Sequence, residues 1–178
     1  MKTTNKNRKT VKNICFCAIF AALCAAATLI SIPIPIGYIN LGDMMVLTSG
    51  WCLGGVYGAV AAGVGSAIAD FLLGYAVYAP ATLIIKALVA LFAVLVYTGV
   101  KKLFAKRNTK DIILRILSAL IAECAMVLGY FIFESLVMGY GLAAAASIPL
   151  NCVQAFIGTL GASLIIGKIV YWFKKIGK

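Results

Sequence analysis

The sequence predicts an all-α integral membrane bundle of six transmembrane helices in a single domain, residues 1–178, with both termini cytoplasmic. Three observations predict it. Of the 178 residues, 63% are hydrophobic and 12% charged, whereas a soluble domain carries charge on roughly a quarter of its positions. Too little polar surface remains to coat a globule in water. The apolar residues fall in long blocks of Leu, Ala, Ile and Val without strand-like alternation. Such blocks suit helices of about 20 residues, which bond their own backbone inside lipid, and not barrel strands. Finally, the basic residues gather in three clusters whose spacing fits an even number of crossings.

Residues 1–12 form a basic tail, and the first span covers 14–32. The tail begins like a secretory signal, but the apolar stretch is too long and no A-x-A site comes after it, so the segment is expected to stay. Pro33 and Pro35 end this helix because proline lacks the N–H and clashes one turn back. SIPIPIGYINLG is expected to be a stiff, uncharged loop. Residues 43–74 are too long for one span and short for two full ones. The pair Gly54-Gly55 divides them into 44–53 and 56–73. Later spans are 81–103 after Pro80, 112–138 after a basic loop, and 148–173 before a last basic cluster.

Charge sets the count and the orientation. Five Lys/Arg precede residue 13, six lie from Lys101 to Arg115, and four occur from Lys168 onward. Six crossings put all of these on one face, whereas five would set the tail against the rest. Cytoplasmic loops are the basic ones, so six crossings fit better. The net charge of +11 then needs no nucleic acid. It serves topology and touches anionic lipid headgroups of the bilayer. The loop KKLFAKRNTKD also lacks the interleaved aromatics of a nucleic-acid platform.

Lys86 is the basic residue left inside a span, about two turns from its outer end. A charge there costs ~2.5–3.5 kcal/mol on insertion scales and is normally paired or functional. Asp70, Glu134, Asn151 and Gln154 lie at a similar depth, and Asn40 and Asp43 flank the outer loop that enters the second span. Tyr38, Tyr75, Tyr78, Tyr130 and Tyr140 occupy the same layer. Asn40, Asp43, Asp70, Tyr78, Lys86, Glu134, Asn151 and Gln154 are therefore the candidate substrate-binding residues. Together they would line a compartment with aromatic walls and a few orienting polar groups. Each has a plainer reading. Lys86 and Asp70 would also serve as a structural ion pair, and Glu134 and Asp43 as hydrated interfacial acids. The amides would serve as interhelical bonds worth ~0.6 kcal/mol each, and Tyr140 as part of an aromatic belt. Glu123 lies nearer mid-membrane without an evident partner, open to proton coupling, helix contact or a protonated hydrogen bond.

Ala18, Ala22 and Ala26 recur every four residues on the first helix. Small residues at that spacing admit a close second helix, either within the bundle or from another subunit.

The chemistry excludes much. Histidine is absent, which removes His-ligated zinc, HEXXH proteases and Ser-His nucleophiles. The five acidic residues form no cluster able to hold Mg²⁺, and no P-loop is present. The six cysteines form no CXXC pair and read as small hydrophobes. No enzyme activity, metal or cofactor is expected.

Residues 38–91, YINLGDMMVLTSGWCLGGVYGAVAAGVGSAIADFLLGYAVYAPATLIIKALVAL, resemble the substrate-binding S components of energy-coupling factor (ECF) transporters. The similarity is densest at Asn40-Leu41-Gly42-Asp43, at Gly65 to Asp70, and at Tyr78 to Thr82 ahead of Lys86. The most similar branch contains riboflavin, pyridoxine and hydroxymethylpyrimidine carriers. The resemblance implies that the chain binds a vitamin or precursor from outside, at the outer end of the fourth to sixth helices. It implies docking on a transmembrane coupling subunit through Ala18, Ala22 and Ala26, energy from two cytoplasmic ATPases, and toppling of the whole chain in a prokaryotic plasma membrane. A stand-alone proton-coupled secondary carrier for a small polar metabolite, working through Glu123 or Asp70, is the alternative.

Overall fold

The computed structural model describes residues 2–34, 38–104 and 110–176, with the side chains of 2–6, 173, 174 and 176 left aside. Pro35, Lys106 and Arg107, on which part of the loop and charge reading rests, lie outside the described residues, as does Lys178. The described chain folds as α1 (Lys2–Leu29), β1 (Ser31–Pro33), β2 (Tyr38–Asn40), α2 (Gly42–Leu53), α3 (Gly55–Leu72), α4 (Ala79–Leu103), α5 (Asp111–Ile132) and α6 (Ile148–Ile176). A π-helical turn (Phe133–Val137) and a 3-10 segment (Gly141–Ser147) join α5 to α6.

The first helix starts well before the expected span and stops at Leu29, three residues short of it. Strand pairing at 31–33 and 38–40 takes the place of part of the expected stiff loop. Ser31 pairs with Asn40, Ile32 with Ile39 and Pro33 with Tyr38 in a short antiparallel ribbon. A two-stranded ribbon pairs each strand along one side alone, so the missing proline N–H at Pro33 is tolerated there. Alternation along β2 puts Tyr38 and Asn40 on one face.

Gly54 and Gly55 carry φ of 70° and 29°, a left-handed turn that breaks the helix between α2 and α3. α2 has 12 residues, about 18 Å, well below the ~30 Å of a hydrocarbon core. It touches α1, α3, α4 and α6, and most of its residues are buried. It is the centre of the bundle. Five helical stretches among the described residues are long and apolar enough to cross a membrane, in α1, α3, α4, α5 with its π turn, and α6 with its 3-10 lead.

Close approach comes from missing side chains. A Cβ on Gly65 would strike the Ala21 carbonyl and lie 2.8 Å from Cys24 Cβ, so α3 seats directly on the α1 backbone. A Cβ on Gly158 would sit 2.6 Å from Asp43 Cβ, which fixes α6 against the start of α2. The outer faces carry exposed Val60, Val64, Ile68, Leu117, Leu120, Ile121 and Leu128, a continuous apolar surface that suits lipid and not water.

α1 is two-faced. Phe20, Cys24 and Ala27 point into the core, whereas Ala18, Ala22 and Ala26 are exposed.

Candidate ligand-binding site

At the end of the bundle remote from the basic clusters, a polar network ties four elements together. Asp43, in the first turn of α2, is fully buried and ion-paired with Lys86 of α4. Its other oxygen accepts from Gln154 Nε2 of α6 at 2.6 Å. Gln154 Oε1 accepts from the Asn40 backbone N–H at 2.9 Å and from Asn40 Nδ2 at 3.2 Å. Asn40 Oδ1 in turn accepts the Gly42 N–H at 2.7 Å, satisfying an orphan donor at the start of α2. Asp43 also benefits from the positive end of the α2 dipole. The Lys86 ammonium lies 3.0 Å from Met126 Sδ and 5.4 Å from the Tyr130 ring centre.

This corrects the pairing that equal depth suggests. The partner of Lys86 is Asp43 and not Asp70. Depth along a helix sets the level of a side chain, not its direction, and Asp70 points instead to the Tyr38 hydroxyl, which donates to it. Asp43 and Glu134 are not hydrated acids at the interface, being 0% and 3% exposed. Glu134 sits on the π turn and accepts from Ser147 Oγ at 2.5 Å and from Tyr78 OH at 3.5 Å.

Above this network lies a cavity of about 30 Å³. Of the eight candidate residues, Asn40, Asp70, Tyr78, Lys86, Glu134, Asn151 and Gln154 line it, and Asp43 stands behind Lys86. Tyr38 and Tyr130 complete its aromatic wall. Tyr38 and Tyr75 lie 4.8 Å apart between ring centres, Tyr75 and Tyr78 6.3 Å, and Tyr78 and Phe133 5.4 Å, forming an aromatic rim. Tyr140 is 42% exposed, outside the cavity.

Thr28, Ser66 and Thr82 also line the cavity; Ser66 and Thr82 fall in the segments of densest family resemblance, but none of the three is among the candidate residues. Single hydroxyls are common in membrane helices, so polarity and depth alone do not mark these three. Thr82 Oγ1 and Tyr130 OH share a hydrogen bond of 3.0 Å. Thr28 Oγ1, Ser66 Oγ and Asp70 Oδ2 are buried and accept or donate no hydrogen bond among the described residues. Three orphaned polar atoms around one cavity form a ready hydrogen-bonding edge.

Glu123 is elsewhere. It is 1% exposed with both carboxylate oxygens unpaired among the described residues, and it borders a separate, mostly apolar cavity of about 430 Å³ between α5 and α6.

Apolar sides and a polar cavity at one end fit a membrane-embedded solute-binding protein. The family model described as ECF-type riboflavin transporter, S component, matches residues 8–171. The chain belongs to that family, and is thereby a multi-pass membrane protein of the substrate-binding class of vitamin transporter subunits. It is also similar to a Pyrococcus woesei protein named "Uncharacterized protein in gap 3'region", 33% identical over 156 residues, which cover 86% of this chain and 95% of the other.

Proposed function

We propose that this chain is the high-affinity binding subunit for uptake of a vitamin or vitamin precursor with a flat polar heterocycle. Candidates are riboflavin, vitamin B6 and hydroxymethylpyrimidine. The carrying observation is the convergence of Thr28 Oγ1, Ser66 Oγ and Asp70 Oδ2, all unpaired, on a cavity walled by Tyr38, Tyr78 and Tyr130. A buried polar atom without a partner costs ~1–3 kcal/mol, which a ligand with matching groups recovers. Aromatic walls suit a planar ring, which a cavity with room for about one water admits once the rim of Tyr38, Tyr75 and Tyr78 parts, and Asn151 and Lys86 add polar groups along the edge. The family description supports riboflavin as the first ligand to test.

In this reading the six helices cross the membrane with both termini cytoplasmic, in a prokaryotic plasma membrane. A transmembrane coupling subunit docks on Ala18, Ala22 and Ala26, and two cytoplasmic ATPases supply the energy. The chain topples to present its site inward. The exposure of those three alanines beside a core-facing Phe20 and Cys24 supports the docking face.

The test is calorimetry and thermal shift of the purified chain with riboflavin, pyridoxine and hydroxymethylpyrimidine. Binding of one of them is expected, and a flat response to all three refutes the reading. A second reading, the stand-alone proton-coupled carrier, is favoured by the unpaired buried carboxyl of Glu123. Uptake by this chain alone, abolished by a protonophore, decides for it.

A further inference from the structure

The opposite end of the bundle holds a second cluster that the binding reading does not use. Asp111 begins α5, and Arg115 one turn on donates from Nε to Asp111 Oδ2 at 2.8 Å. Arg115 Nη2 lies 3.3 Å from Tyr97 OH of α4, and the guanidinium stacks 4.4 Å from the Tyr97 ring centre and 5.4 Å from that of Trp51. Tyr97 OH donates to Asp111 Oδ1 at 2.5 Å, and Lys101 Nζ reaches the same oxygen at 3.4 Å. Two cations share one carboxylate, so a positive charge is left over.

By position in the sequence Arg115 counts with the loop cations, yet it is 8% exposed, and its Nη1 is buried without a hydrogen bond among the described residues. A guanidinium nitrogen in that position lacks the acceptor that such groups normally have. Arg115 lines a cavity of about 300 Å³ between α5 and α6, together with Asp111 and Ser163. Ser163 is likewise 8% exposed, and its Oγ is unpaired. Two residues that each carry an orphaned donor, one of them charged, thus line the same space. Gly167 keeps it open, since a Cβ there would meet nothing within 4 Å. Lys168, next in sequence, is exposed.

We propose that this cavity is a binding site for the phosphate of an anionic phospholipid, held by Arg115 Nη1 and Ser163 Oγ. Guanidinium groups suit phosphate through charge and directed N–H donors together. A free phosphate would satisfy the same donors, but the cavity wall favours an amphiphile. Leu164 and Ile112 line it and are 80% and 38% exposed, an apolar edge that continues from the polar floor onto the lipid-facing side. A headgroup would enter from the basic face and its acyl chains would lie along that edge. Basic pockets between membrane helices take anionic headgroups in this way.

The experiment uses the full chain, delipidated in a neutral detergent. Phosphatidylglycerol, phosphatidylcholine and inorganic phosphate are added separately while melting is monitored, with retained lipid counted by native mass spectrometry. Phosphatidylglycerol at ~100 times its Kd is expected to raise the Tm by about 5 °C. Phosphatidylcholine and inorganic phosphate are expected to do much less. R115Q should abolish the difference. Because R115Q also strips partners from Asp111 and Tyr97, S163A and G167I provide independent arms. S163A removes an unpaired hydroxyl and should weaken phosphatidylglycerol about tenfold, while G167I fills the cavity and should block it. An equal response to inorganic phosphate assigns the site to a free anion and overturns the lipid assignment. An unchanged phosphatidylglycerol response in S163A and G167I overturns the site. Loss of coupled transport in G167I with lipid binding intact assigns the cavity to a protein partner instead.

Discussion

Lys86→Met provides the sharpest test of the polar network. Asp43 is 0% exposed, and its ion pair with Lys86 leaves Gln154 Nε2 as its other side-chain donor among the described residues. Removing Nζ strands a buried carboxylate with a single neutral donor. Breaking one side of a buried pair costs ~3–5 kcal/mol. For a chain of this size each kcal/mol moves the midpoint by ~2–4 °C, so the Tm should fall by about 10 °C. Adding D43N removes the stranded charge while keeping an amide that bonds to Gln154. The double variant should therefore regain more than half of the loss, since replacing both members of a buried pair is far less costly than removing one. Intrinsic fluorescence of Trp51 and Trp172 during heating gives the midpoints, and the four proteins make a double-mutant cycle. Lys86 also lines the cavity, so affinity for the ligand identified by the panel should fall at least tenfold, ~1.4 kcal/mol. A Lys86→Met midpoint within ~2 °C of wild type, or single losses that simply add in the double variant, would refute the ion-pair argument.

The same geometry sets other outcomes. Ser66→Ala removes an unpaired buried oxygen, so melting should be unchanged or slightly higher while ligand affinity drops about tenfold by calorimetry. Asp70→Asn weakens the Tyr38 contact and changes the hydrogen-bonding edge, and should reduce affinity without loss of the membrane-inserted fold seen by circular dichroism. Gly65→Leu drives a side chain into the Ala21 carbonyl and should abolish a monodisperse peak in size-exclusion chromatography. Ala22→Phe adds bulk on an exposed face, so ligand binding should persist while uptake with the coupling subunit and ATPases is lost.

Much of the bundle is legible in the residues because lipid imposes simple rules. Gly54-Gly55 announces a break since two successive glycines admit the left-handed backbone found there. The strand pairing of 31–33 with 38–40 is hidden, because two prolines in the segment argue against a sheet and a ribbon is made by contacts between residues that are not neighbours in the chain. The polar layer around Lys86 emerges from depth alone, since ionisable groups in a span are rare enough to signal themselves. Their partners do not emerge, because direction around each helix depends on packing. Asp43 reaches Lys86 where Gly158 lets α6 close on α2. Thr28, Ser66 and Thr82 do not emerge from depth and polarity, as a hydroxyl in a membrane helix is ordinary, although Ser66 and Thr82 sit in the segments that carry the family resemblance. Arg115 misleads in the opposite sense: near the basic loop it counts as a topology signal, yet Asp111, Tyr97 and Trp51 draw it into the protein.

The π turn at Phe133–Val137, closed by the Met138 N–H on the Phe133 carbonyl at 3.0 Å, holds one residue more than an α turn. Deleting a residue from an α-helix swings everything beyond it by about 100°. Here the turn closes the helix, with a bend at Met138 directly after it, so the same deletion would leave α5 in register and fall on the bulge and the connection that follows. Glu134 would be carried away from Tyr78 and Ser147, while α5 kept its place. The bundle thus has a point where a single codon, gained or lost, changes the lining of the cavity without rebuilding α5. Lineages adapting such a frame to a different solute would find their cheapest step there.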